Sequence, residues 1–159
     1  MEYPRFLCDE MLGRLCHYLR AAGYDALLAE RGLRDALLLQ QSCREGRQFL
    51  TQDARIVEHR KAQGVVFIMP HAPLDQLARL VGKQFRLDWL AHAFTRCLVD
   101  NSLLVPANEE ACAKVPDDVR SPGEPLLMCP TCGRVYWRGS HYRRMRARLC
   151  AWQEDLMIS

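Results

Sequence analysis

Acidic residues stand in this chain where a phosphate-handling site would want them. Asp9 and Glu10 follow the apolar triplet Phe6-Leu7-Cys8, Asp53 follows Phe49-Leu50-Thr51, and Asp35 and Asp75 open two further segments. Clustered carboxylates repel one another unless a cation or a shared proton relieves them. A hard divalent ion, Mg²⁺ or Mn²⁺, is the natural relief, because it takes a few carboxylates, keeps several waters and completes its shell with phosphate oxygens. Such an ion activates water and stabilises the leaving oxygen in phosphodiester cleavage. Asp9, Asp35 and Asp53 are therefore read as the catalytic, metal-holding set, with Glu10 or Asp75 as outer ligands. The Thr51 hydroxyl could orient a bound water or simply pack its strand. Asp is also a favoured helix cap, a role open to Asp35, Asp53 and Asp75. Met11 stands where a haloacid-type phosphotransferase needs its second Asp, and Met69-Pro70-His71 offers no hydroxyl where a receiver domain needs one.

A second constellation is built from sulfur. Cys129-x-x-Cys132 followed by Gly133 has the tight-turn spacing of a zinc knuckle, and Cys97-x-x-Asp100 repeats that spacing with a carboxylate in the second place. Cys97, Asp100, Cys129 and Cys132 thus make a three-thiolate, one-carboxylate set for Zn²⁺. His141, Cys112 and Cys150 are alternative fourth ligands. Cys8, Cys16 and Cys43 lie on apolar faces and are read as core thiols.

The third feature is positive. Arg134, Arg138, Arg143, Arg144, Arg146 and Arg148 fall within a stretch that carries no acid. Clustered guanidinium groups gain from releasing the counterions of a polyanion, so Arg138, Arg143 and Arg144, with His141, are candidates for nucleic-acid contact. Arg14 and Arg20, on the first helix, are placed to steer phosphate toward the acids. Tyr136 and Trp137 could stack on bases or form a small core.

These residues need elements to position them. Phe6-Leu7-Cys8, Tyr24 to Ala29, Phe49-Leu50-Thr51 and Val65 to Met69 read as four strands. Between them, Leu12, Leu15, Leu19 and Ala22 recur at helical spacing up to Gly23, and further helices are expected from Asp35 to Glu45, over Ala54 to Gln63 and around Leu74 to Val81. Such alternation implies a parallel sheet with helices on its faces. Ligands in that architecture bind outside the carboxyl ends of the strands, which is where Asp9 and Asp53 fall. A loop-rich stretch with Pro106, Pro116, Pro122 and Pro125 leads to the second knuckle, and Ser140 to Leu149 reads as a short basic helix. Residues 1–90 are expected to form the α/β domain, and residues 91–159 a ribbon-like domain with a basic tail.

With 159 residues, 49% hydrophobic and 26% charged, the chain has the composition of a globular protein and is too short for two full enzyme domains. The net charge of +3 says little. Runs such as Val65-Val66-Phe67-Ile68-Met69 are far too short to span a membrane. No export pattern opens the sequence, so a cytoplasmic location with reduced thiols is expected.

The chain resembles the Mut-seven C-terminal RNase family, a PIN-like ribonuclease domain joined to a zinc ribbon. The resemblance rests on Phe6 to Leu15, Leu19 to Asp25, Leu50 to Asp53, Thr95 to Asn101 and Cys129 to His141, in the family's order. It implies a PIN-like α/β fold and metal-dependent RNA cleavage, with Asp9 and Asp53 at the positions of the metal-binding acids and Asp35 at a third. Where the family's first knuckle has two cysteines, this chain has Cys97 and Asp100. The expected function is a Mg²⁺- or Mn²⁺-dependent ribonuclease whose ribbon aids RNA binding, with control by a protein partner as a further option. The alternative is an RNA- or ribosome-binding module with a vestigial acidic site.

Overall fold

The computed structural model describes every residue except 1, 60, 61, 63 and 121. Four short parallel strands, β1 (Phe6–Cys8), β2 (Ala26–Leu28), β3 (Gln48–Thr51) and β4 (Val66–Ile68), form one sheet in the order β2-β1-β3-β4. Phe6 stands opposite Ala26 on one side and Gln48 on the other, and Thr51 stands opposite Ile68. The expected α/β layer is present, and β1 and β3 are immediate neighbours. That adjacency brings the residues after Cys8 and after Thr51 to one rim.

Helices α1 (Gly13–Ala21), α2 (Asp35–Glu45) and α3 (Leu74–Phe85) flank the sheet. β1 is apolar throughout because both faces are covered, the pattern expected of a doubly packed parallel strand. One face packs Phe6, Cys8, Leu15, Leu19, Leu50 and Val81 together; the other packs Leu7, Leu38, Leu39, Phe49 and Ile56. Gly23, at φ +92°, turns the chain after α1, and a Cβ there would lie 2.2 Å from the His92 carbonyl oxygen. Only glycine permits that close approach.

Two elements differ from expectation. The segment after Asp53 is a 3-10 turn over Ala54–Glu58 and not a longer helix, its start held by the Asp53 side chain; the rest of the expected helix falls partly outside the described residues. The basic tail is a 19-residue helix, α5 (Ser140–Ile158), that returns to the α/β layer. Met145, Leu149 and Trp152 sit in the same core as α1 and α3. Gly82 in α3 makes room for it, since a Cβ there would lie 2.9 Å from Trp89 Nε1 and 3.1 Å from Leu156. The apolar stripe of α5 is interrupted by arginines in the sequence, which conceals its core side until the partner helices are known.

Between α3 and α5 the chain builds a small antiparallel sheet of β5 (Val105–Pro106), β6 (Leu127–Met128) and β7 (Val135–Tyr136). The proline-containing stretch also holds α4 (Glu109–Ala113), capped by the Asn108 side chain.

Candidate functional site

Asp9 and Asp53 meet through Thr51. The buried Thr51 hydroxyl donates to Asp9 Oδ2 at 2.7 Å, and its oxygen accepts from the Asp53 backbone N–H at 3.1 Å. Asp9 Oδ1 accepts from the Glu10 N–H at 2.8 Å, which starts the short turn Glu10–Leu12 leading into α1. Thr51 therefore orients the Asp9 carboxylate. Asp53 accepts from the Arg55 backbone N–H at 3.0 Å and from its guanidinium at 3.1 and 3.2 Å. The Arg55 side chain, followed by its backbone N–H, holds the Asp53 carboxyl below its usual range.

Asp35 opens α2, whose N-cap position is occupied by Arg34 without a side-chain cap. Its carboxylate is thus not spent on capping. Asp9, Glu10, Asp35 and Asp53 line one open cleft of about 470 Å³ at the carboxyl ends of the strands, together with Glu30, Gln52, Arg55 and His71. The four latter residues were not legible as site residues, although Glu30 and His71 follow β2 and β4 as Asp9 follows β1. Asp75 lies elsewhere: it accepts from Trp152 Nε1 at 2.8 Å and pairs with Arg148 at 3.6 Å, so it anchors α5 and is no outer ligand.

The cleft's chemistry fits a divalent cation. Its carboxylates are hard oxygen donors, and one already carries a positive group, Arg55, across both of its oxygens.

The sulfur set converges more tightly. The ligand atoms of Cys97, Asp100, Cys129 and Cys132 all lie within 4.8 Å of one another, a density the cleft's acids do not reach among the described residues. Tetrahedral zinc, with Zn–S of about 2.3 Å and Zn–O of about 2.0 Å, implies S···S edges of about 3.8 Å and S···O edges of about 3.5 Å. Cys97 Sγ lies 3.8 Å from Cys132 Sγ, and Cys129 Sγ lies 3.4 and 3.2 Å from the two Asp100 oxygens. The Asp100 carboxyl is held well below its usual range, first by the Ser102 backbone N–H and then by the Cys129 thiol, against a burial penalty. The Arg134 backbone pulls the Cys132 thiol down, but burial and the neighbouring Cys129 and Cys97 thiols push it up to about 11. This crowding of sulfur is what a cation would resolve. The proposed alternatives are placed apart: Cys112 faces the Ala107 carbonyl, Cys150 faces Arg146, and His141 lies against His17.

A sequence model of the Mut7-C RNAse domain matches residues 4–149, a span that takes in both the cleft and the cysteine set. The chain belongs to the Mut7-C RNAse domain family. A search of curated proteins finds no match. Membership implies a ribonuclease-type function and RNA as substrate, and the cysteine set can hold a metal ion.

Within this Mut7-C domain the arginines divide into two groups. Arg20 is buried, donating from Nε to the Ala26 carbonyl at 2.8 Å and from Nη1 to the Leu98 and Val99 carbonyls at 3.0 and 2.9 Å. It ties the first knuckle to β2 and does not steer phosphate. Arg14, Arg138, Arg143 and Arg144 are exposed, and among the described residues no carboxylate side chain forms a salt bridge with any of them. Arg138 lies over the Tyr142 ring at 5.7 Å. Tyr136 belongs to the cluster's support, its hydroxyl accepting from the Leu98 N–H at 3.0 Å, while Trp137 is partly exposed. Of the thiols read as core, Cys8 and Cys16 are buried and Cys43 is exposed on α2. No helix among the described residues is long and apolar enough to cross a membrane.

Proposed function

We propose that this protein is a divalent-cation-dependent ribonuclease whose cation site is the cleft of Asp9, Asp35 and Asp53. The observation that carries this reading is that Asp9, Glu10, Asp35 and Asp53 line one cleft at the carboxyl rim of the sheet, where Thr51 bonds the Asp9 carboxylate and the Asp53 backbone N–H. When bound, Mg²⁺ or Mn²⁺ supplies water activation and neutralisation of phosphate charge. Asp9 is aimed by Thr51 and the Glu10 N–H, which leave its remaining lone pairs for the cation. Asp53 is aimed by the N–H of Arg55. In the reaction a water oxygen bonds to phosphorus as the bond to the ribose oxygen breaks, and that oxygen takes up a proton. His71 and Glu30, on the cleft wall, are within the site's reach to manage protons.

The cysteine set is assigned to structural Zn²⁺, held by Cys97, Asp100, Cys129 and Cys132. Arg138, His141, Arg143, Arg144 and Arg14 are assigned to the RNA backbone, where unpaired exposed arginines favour polyanion contact. Those same arginines also favour a second reading, RNA binding without cleavage.

The test is cleavage of labelled tRNA, rRNA fragments and single-stranded RNA with Mg²⁺ or Mn²⁺, wild type beside Asp53→Asn. Cation-dependent products that disappear in the mutant are expected. Silence from both proteins, with RNA binding intact, would replace the enzyme by the binding module.

A further inference from the structure

Arg55 holds both oxygens of Asp53, at 3.1 and 3.2 Å, yet its own side chain is 86% exposed. A guanidinium on a carboxylate at the surface is weakly held, because solvent screens the pair and the long side chain gives up rotamer freedom to make it. The same guanidinium also feels the charges of Asp35 and Glu58. Among the described residues it is the one arginine or lysine that lines the acidic cleft, beside Asp9, Glu10, Glu30, Asp35 and Asp53.

Resting on the cation reading of that cleft, we propose that Arg55 is an exchangeable counter-ion: it covers Asp53 until a divalent cation takes the carboxylate, and then pairs with an RNA phosphate at the cleft mouth. Mg²⁺ or Mn²⁺ replaces the guanidinium on Asp53, and the displaced guanidinium meets the new negative charge that RNA brings. Arginine suits this use because its planar fork matches carboxylate and phosphate oxygens equally well. The anchoring N–H of Arg55 on Asp53 Oδ1 is a backbone group, so the side chain can leave without disturbing the turn.

The experiment uses zinc-replete protein and reads Mn²⁺ binding directly, from the free-ion electron paramagnetic resonance signal, for wild type, Arg55→Gln, Arg55→Lys and Asp53→Asn. Circular dichroism and Tm confirm that each variant folds, which the exposure of Arg55 makes the expected result. Removing one adjacent positive charge should tighten Mn²⁺ binding about fivefold in Arg55→Gln. Arg55→Lys keeps the charge and should stay near wild type. In parallel, affinity for a labelled RNA oligonucleotide is measured with and without Mn²⁺; the gain that Mn²⁺ brings to wild type should shrink in Arg55→Gln. Unchanged or weaker Mn²⁺ binding in Arg55→Gln would overturn the exchange. Tighter Mn²⁺ binding with an undiminished Mn²⁺-dependent RNA gain would overturn the transfer to phosphate. Absence of Mn²⁺ binding in wild type and Asp53→Asn alike would instead remove the cation site on which the inference stands.

Discussion

At the acidic cleft, Asp53 is held by its own short turn and by an exposed arginine. At the cysteine cluster, Cys97 and Cys129 are fully buried, and the turn bearing Cys97 and Asp100 is tied to the α/β layer by Arg20 and Asn101 and to β7 by Tyr136. Arg20 donates to the Leu98 and Val99 carbonyls, and the Tyr136 hydroxyl accepts from Leu98 N–H. Asn101, at φ +74°, accepts from Ala26 N–H and donates to Asp25, which Arg47 also pairs at 2.6 Å. Burial alone would raise the Asp25 carboxyl, but Arg47 and Asn101 outweigh it and hold it below its usual value. The two regions teach what different metal roles require. A structural ion gains from a cage fixed before it arrives, whereas a hydrolytic ion needs open coordination positions and ligands able to adjust to substrate.

Four variants would break or sharpen that contrast. Asp9→Asn keeps the shape and the Thr51 bond but removes a cation ligand. Cleavage should fall by at least about 100-fold, since even partners that merely orient a metal ligand are worth about 10- to 100-fold. Its Tm should move by no more than a few degrees, and a large loss of Tm would mean the cleft is as structural as the cluster. Cys129→Ser should reverse the balance. Zinc content measured by atomic absorption should drop, and Tm should fall by roughly 10 °C or more. An unchanged Tm would show the cage to be self-supporting.

Arg20→Ala should come next, because it takes a buried guanidinium away from the carbonyls of Ala26, Leu98 and Val99. Urea unfolding should show a loss of about 3 kcal/mol, and zinc should dissociate faster. The smallest effect belongs to the double change Arg143→Ala and Arg144→Ala. The slope of log affinity for single-stranded RNA against log salt should drop by about 1.4, with Tm almost unmoved. A fall in Tm without a change in slope would assign these arginines to packing.

Much of the cleft is legible locally. A strand of three apolar residues followed by an acid, twice, is enough to locate Asp9 and Asp53 at strand ends, and parallel pairing then puts them on one rim. The matched spacings of Cys97-x-x-Asp100 and Cys129-x-x-Cys132 identify all four members of the cluster for the same reason. What fails is the assignment of partners. Arg20 reads as a phosphate-steering helix position because nothing near it in sequence reveals the carbonyls of residues 98 and 99. Asp75 reads as a cap or outer ligand, and is claimed by Trp152 and Arg148 of a helix that begins 65 residues later.

The sequence by itself determined the element types, the metal-ligating residue types and their local spacing, because hydrophobic period, turn chemistry and ligand spacing act over a few residues. Only the tertiary structure decided which charges are spent. It buried Arg20 under the first knuckle, folded α5 onto α1 and α3, and gave Asp75 to Trp152 and Arg148. The physical reason is that a charged side chain goes where its desolvation is best compensated, and the groups that compensate it are fixed by packing rather than by nearness along the chain.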